Sequence, residues 1–180
     1  MKATGIVRRI DDLGRVVIPK EIRRTMRIRE GDPLEIYTSR DGEVIFKKYS
    51  LLGGVEDFAS QLCETLSKST GSICAVTDRD SVIAVAGGGR RELLGKHIAP
   101  ALEQMMESRK IYQFAEDRPA VSVSDSSDQF IVLLGAPILS EGDLLGMVLF
   151  VGQPPASPVG ETEYKLAQTI AAFLGRHMEN

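Results

Sequence analysis

The sequence predicts an α+β protein of two units, a small ββαββ unit followed by a larger helix-bounded sheet. Three observations carry this. Two short β-branched runs precede a cation-rich helical segment, the charge changes sign along the chain, and two long apolar runs precede a final amphipathic helical pattern.

Of the 180 residues, 43% are hydrophobic and 26% charged, which suits a globular chain. No apolar run approaches the roughly 20 residues that span a bilayer. The longest, Phe130 to Leu139 and Leu144 to Val151, read as buried strands. No apolar stretch behind Lys2 resembles a secretory leader, so a cytoplasmic location without membrane contact is expected. Cys63 and Cys74 form neither a CxxC pair nor a cluster with His at metal spacing. Neither a metal nor a cofactor is expected, and a catalytic set is not visible. Residues 1–50 carry 12 Lys/Arg against 8 Asp/Glu, a net of +4, and the remainder carries 10 against 17, a net of −7. Within residues 1–29 the balance is 9 against 3, or +6, an asymmetry that points towards a polyanion.

The stretch "KKYSLLGGVEDF" places a boundary near Ser50, giving a unit over 1–50, a linker over 51–54 and a unit over 55–180. Fifty residues are close to the smallest size that holds a core without disulfide, metal or oligomerisation. With neither staple available, oligomerisation is the expected remedy.

Gly5 to Ile10 and Arg15 to Ile18 read as strands around the turn "DDLG". Pro19 ends the second and suits the first turn of a helix, where its missing N–H is not needed. The segment "PKEIRRTM" is then a short helix, with Lys20, Arg23, Arg24 and Arg27 on one face and Ile22 and Met26 opposite. Neighbouring like charges destabilise so short a helix, and retaining them at that cost points to use. Pro33 to Thr38 and Glu43 to Lys47 flank "SRDG" as a second hairpin. The apolar residues of this unit, Ile6, Val7, Ile10, Val16, Val17 and Ile18 among them, are too few to enclose a core within one chain. Two chains could interleave.

The run "TGIVRRIDDLGRVVIPKEIRRTMRIREGDPLEIY" is similar to the AbrB-type swapped-hairpin DNA-binding family of bacterial transition-state regulators, a resemblance that covers about residues 3–48. The whole chain, with its acidic second unit, resembles transcription regulators of spore-forming bacteria. The resemblance implies a homodimer in which two chains exchange hairpins to form one barrel, with a two-fold arginine array facing double-stranded DNA. Carried over by motif, it selects Arg8, Arg15, Arg23 and Arg24, with Lys20 and Arg27 as further phosphate contacts. Strand alternation alone does not choose Arg8 over Arg9. Arginine suits the role because its planar fork donates bidentately to phosphate and to the guanine O6/N7 edge. The resemblance further implies activation of some late sporulation genes and repression of others.

In the second unit, Val55, Phe58, Ala59, Leu62 and Leu66 follow a helical period, with Glu56 and Asp57 in the first turn and Gly71 after the last. Strands are expected over Ser72–Thr77 and Val82–Ala86, a helix near Ala99–Arg109, and short strands at Ile111–Phe114 and Ala120–Val123. The two long apolar runs close the sheet, and a helix over about Glu161–His177 ends the chain. This order, with "GAPILSEGDLLGMVLFVG" late in the sheet, resembles a GAF domain. That resemblance implies a small-molecule pocket between the sheet and the loops around Gly87–His97 and Asp117–Gln129, with no ligand named by the sequence. It also allows the terminal helices to join two dimers into a homotetramer.

Three features tempt other readings. "GGGRRELLGKH" lacks P-loop spacing, since five residues separate Gly89 from Gly95 and His97 stands where Ser or Thr would hold magnesium. His97 and His177 lack recognisable catalytic or metal partners, and Cys63, Cys74, Met105 and Met106 read as packing residues. An antitoxin-like protein-binding module is the alternative for the first unit, because swapped-hairpin folds also serve that role. An enzymatic alternative, methionine sulfoxide reduction on a GAF-like fold, would need Cys63 and Cys74 in a pocket.

Overall fold

The computed structural model describes residues 4–49, 52 and 54–178. The chain divides into two compact units, residues 1–49 and 50–180.

In the first unit, α1 spans Lys20–Thr25, and β1 (Leu34–Thr38) pairs antiparallel with β2 (Val44–Lys48), setting Ile36 opposite Phe46. The second hairpin is thus present as expected. The two strands expected over Gly5–Ile10 and Arg15–Ile18 do not form: among the described residues, 4–18 contribute no strand. The two arms meet only at the turn, where the Asp11 N–H donates to the Arg15 carbonyl, and they do not extend that contact into a ladder. Their side chains remain in solvent, with Val7 85% exposed, Val17 72% and Ile10 69%. Met26, placed with Ile22 opposite the cationic face, is also exposed.

The second unit is a six-stranded antiparallel sheet in the order β4-β3-β8-β7-β5, with β6 also pairing to β7. Its strands are β3 (Ile73–Thr77), β4 (Val82–Ala86), β5 (Tyr112–Gln113), β6 (Ser122–Ser124), β7 (Ser127–Ser140) and β8 (Asp143–Gly152). Helix α2 (Glu56–Thr70) ends at Gly71, which takes φ +73 and donates its N–H to the Ser67 carbonyl at 2.8 Å. Only glycine enters that left-handed cap without a Cβ penalty. Helix α5 (Glu161–His177) starts where the Glu163 carboxylate accepts the Gly160 N–H at 3.0 Å. Acidic residues in its first turn and Arg176 and His177 in its last complement the helix dipole.

Both faces of the sheet are covered. On one, Ala59, Cys63 and Leu66 of α2 and Ala167, Ala171 and Leu174 of α5 pack on Leu134, Ile138, Val148 and Phe150. On the other, Leu93 of α3 (Arg90–Leu93) and Leu102 and Met106 of α4 (Pro100–Glu107) pack on Val85, Phe130, Val132, Met147 and Leu149. The short α3 was not apparent from periodicity, because four residues are about one turn.

Strand β7 feeds both cores. Val132 pairs with Val151 and Leu134 with Phe150, so Leu133 is an extra residue in the ladder. Because successive side chains alternate, this bulge sends Phe130 and Val132 to one face and Leu134, Ala136 and Ile138 to the other. A second shift, between Ile138 and Leu139, leaves Leu145 unpaired in β8.

Helix α5 approaches β7 closely at Gly175, where an added Cβ would overlap the Leu139 carbonyl oxygen. Alanine usually gains about 1 kcal/mol over glycine inside a helix. Here the overlap is with backbone, which cannot rotate away, and overpacking costs about 1–3 kcal/mol. Gly175→Ala is therefore expected to lower the unfolding free energy of the second unit by about 1 kcal/mol net of propensity, read as a lower urea midpoint. An unchanged or raised midpoint would show that α5 is free to move off β7.

Candidate nucleic-acid interface

The cations of the first unit are positioned by three local devices. The first is the turn after the leading arm. The Asp11 N–H donates to the Arg15 carbonyl at 3.0 Å, and the Gly14 N–H donates to the Asp11 carbonyl at 3.0 Å. The Asp11 carboxylate adds three bonds: Oδ1 accepts the Leu13 and Arg15 N–H groups at 3.0 and 2.8 Å, and Oδ2 accepts Arg15 Nε at 2.7 Å. Gly14, at φ +75, supplies the left-handed residue the turn requires.

The Arg15 backbone N–H, followed by its side chain, holds the Asp11 carboxyl below the usual carboxylate range. A lowered pKa means that the folded turn binds a proton less readily than the unfolded chain. The stabilisation is thus present above the ordinary Asp value and is lost as the pH falls through the lowered one.

The second device is α1. Pro19 is buried and its carbonyl accepts the Arg23 N–H at 3.0 Å, opening the helix that carries Lys20, Arg23 and Arg24. Lys20 and Arg24 are exposed and Arg23 is half-buried.

The third is the helix end, and here the expected helical face needs correction. Arg27 does not continue the stripe of Lys20, Arg23 and Arg24, because α1 stops at Thr25 and Arg27 adopts φ +52. The Ile28 N–H returns to the Arg23 carbonyl at 2.7 Å and the Arg27 N–H to Arg24 at 3.3 Å. This pair of bonds is a Schellman cap, with arginine where glycine is usual. The cap is anchored across the unit by Lys48, whose Nζ donates to the Arg27 carbonyl at 2.7 Å and pairs with Asp32 Oδ2 at 3.3 Å. That aspartate side chain is only 4% exposed and also accepts the Arg29 N–H at 2.8 Å.

Of the residues selected from sequence, Lys20, Arg23 and Arg24 therefore share one short helix, Arg15 lies at the turn that precedes it, and Arg27 occupies its cap. Arg8 and Arg9 are both exposed in the leading arm. Asp11, Asp32 and Lys48 were not singled out from sequence. The signal for Asp11 was available in the Asp-x-x-Gly turn and the Asp/Arg pair four apart. No short-range signal marks the Asp32–Lys48 pair, 16 residues apart.

In the second unit, one side of the region expected to border a ligand, around Gly87–His97, packs against the sheet. The backbone of Gly89 (φ +67) lies against the Phe130 ring, so the glycine run closes onto the sheet, and α3 behind it has only four residues. Leu93, Ile98, Leu102 and Phe130 are all buried there. The Tyr112 hydroxyl oxygen is buried without a hydrogen-bond partner among the described residues. Burial pushes the Cys63 and Cys74 thiols up to about 12, away from the thiolate that redox chemistry needs. No group of three or more potential metal ligands occurs among the described residues, and no described helix is long and apolar enough to cross a membrane.

Residues 54–179 match the family model for the stage V sporulation protein T C-terminal domain, described as a transcription factor. Stage V sporulation protein T of Bacillus subtilis (strain 168) is 46% identical over 179 residues, 99% of each chain. The chain belongs to the stage V sporulation protein T family. Its leading 49 or so residues are similar to transition state regulatory protein AbrB of the same organism, 63% identical over 49 residues, which are 27% of this chain and 50% of that relative. Residues 7–50 also match the model for antidote-toxin recognition by the bacterial antitoxin MazE. The GAF domain from Acinetobacter phosphoenolpyruvate-protein phosphotransferase shares the fold of the second unit, with a TM-score of 0.51 at 13% identity over 74% of this chain and 84% of its own. The family is one of transcription factors, with an AbrB-like leading domain and a GAF-like second domain.

A non-glycine residue in the left-handed region costs about 1–2 kcal/mol, whereas glycine costs about 0.5–1 in chain entropy. Arg27→Gly is expected to stabilise the first unit by about 0.5–1 kcal/mol in chemical denaturation. The same variant should lose DNA affinity if the strained cap is retained for its side chain. Greater stability with unaltered binding would remove Arg27 from the interface.

Proposed function

We propose that this protein regulates late sporulation genes, activating some and repressing others, by binding double-stranded DNA through the first unit of a homodimer. The observation that carries the reading is the pair of unladdered arms: apolar side chains of residues 4–18 stand in solvent on the segments that carry Arg8 and Arg15 and lead into the cations of α1. Exposed apolar surface of this kind favours burial against a second copy, since each apolar Å² removed from water contributes about 25 cal/mol. A partner's arms supply the missing ladder. Interleaving then duplicates Arg8, Arg15, Lys20, Arg23, Arg24 and Arg27 about a two-fold axis, as a duplex with two-fold-related half-sites requires.

The second unit, on this reading, joins two dimers into a homotetramer. Phe173 on α5 is 48% exposed and lies 5.8 Å from the Phe58 ring of α2, and the His177 ring is 5.0 Å from Phe58. These rings form an aromatic patch spanning both terminal helices, suited to packing against its own copy. Two DNA-binding faces on one assembly would raise avidity at paired sites. A GAF-like unit also offers a place for a small regulatory ligand. The protein works in the cytoplasm, at the nucleoid, and is not an enzyme.

The antitoxin-like reading draws on the MazE match over residues 7–50, because the same arms could dock a protein. Measured affinities for promoter fragments across a salt series separate the two. Arg23→Ala and Arg24→Ala are expected to weaken binding without dissociating the oligomer, and to lower the salt slope by roughly 0.9 for each phosphate that the arginine neutralised. A folded wild-type oligomer with no affinity for DNA would favour the protein-binding reading.

Cutting the chain after Ser50 tests the second unit's contribution. The remaining fragment is expected to be dimeric and to bind paired sites more weakly than the full chain. Equal affinity would reject bivalence.

A further inference from the structure

The turn at residues 11–15 contains a pairing that a simple phosphate-binding cation would not need. Arg15 carries an exposed guanidinium, yet its Nε–H is committed to Asp11 Oδ2 at 2.7 Å, with 69% of the Arg15 side chain still accessible. The other carboxylate oxygen holds the Leu13 and Arg15 backbone N–H groups. Asp11 therefore fixes both the backbone that bears Arg15 and the orientation of its guanidinium.

Two physical consequences follow. A carboxylate 2.7 Å from the guanidinium offsets its charge, so the pair attracts the phosphate backbone less than a free arginine would. Holding the guanidinium by Nε also leaves the two terminal nitrogens as a planar fork, with less rotamer freedom to lose on binding. A partner that rewards direction more than charge is the O6/N7 edge of guanine in the major groove.

We propose that Asp11 is a specificity-determining positioning residue, which holds the Arg15 fork for a guanine edge at the expense of general attraction to phosphate. This rests on the DNA-binding reading above.

The test uses the full chain and a duplex sequence selected by the wild-type protein from a random pool. Affinities for that duplex and for a scrambled duplex are measured across a salt series for wild type, Asp11→Asn, Arg15→Ala and the double variant. Asparagine keeps an oxygen acceptor for the turn's backbone N–H groups while removing the charge, and circular dichroism with oligomeric mass checks that the fold persists.

Asp11→Asn is expected to bind scrambled DNA more tightly and to steepen its salt slope by up to roughly 0.9, as Arg15 becomes free to neutralise one more phosphate. The ratio of selected to scrambled affinity should fall about tenfold, the scale of one bidentate base contact. Arg15→Ala should lose a similar part of that ratio, and the double variant should lose no more than Arg15→Ala alone.

A selected-to-scrambled ratio within twofold of wild type in Asp11→Asn would overturn the proposal. So would a further loss of the ratio when Asp11→Asn is added to Arg15→Ala, as large as Asp11→Asn causes in the wild type, or a selection that returns no preferred sequence. Absence of any DNA binding by the folded wild-type protein would instead overturn the underlying reading.

Discussion

The organisation of the first unit depends on apolar surface that one chain cannot remove from water. Among the described residues its single ladder joins β1 with β2 and leaves the arms unladdered. The unit is also too short to build a second layer. On the proposed reading its cations belong to segments that a second copy completes, so that interface formation and dimerisation would be one event. The helix-end anchor through Lys48 and Asp32 is independent of that event, because every group in it comes from one chain.

The second unit meets the same demand for burial internally. Its sheet has a core on each face, and both cysteines serve the core beneath α2 and α5. Burial pushes both thiols up to about 12, which disfavours the thiolate that the enzymatic alternative needs and suits a packing role. The glycine run that suggested phosphate binding has a steric explanation in the Phe130 ring lying against Gly89.

Much of this was legible in the sequence where a single element carries its own signal. Helix α5 spans the expected Glu161–His177, and Gly71 ends α2 in the left-handed conformation that glycine at that position suggested. The arms were legible as β-branched segments but not as unpaired ones, because pairing depends on a partner outside the pattern. Arg27 was misplaced for a local reason: 3.6-residue periodicity shows which face a residue would occupy, not whether the helix lasts long enough to reach it. In β7 the apolar run from Phe130 to Leu134 is continuous, so nothing in it marked the change of face.

That change of face at Leu133 makes β7 sensitive to length in a way composition does not reveal. Removing one residue on either side of the bulge would turn every side chain beyond it, delivering to one core residues shaped for the other. Most apolar exchanges would preserve the pattern, whereas a single codon gained or lost would not. The shifted register thus constrains the residue count of this strand more tightly than the identity of its apolar side chains.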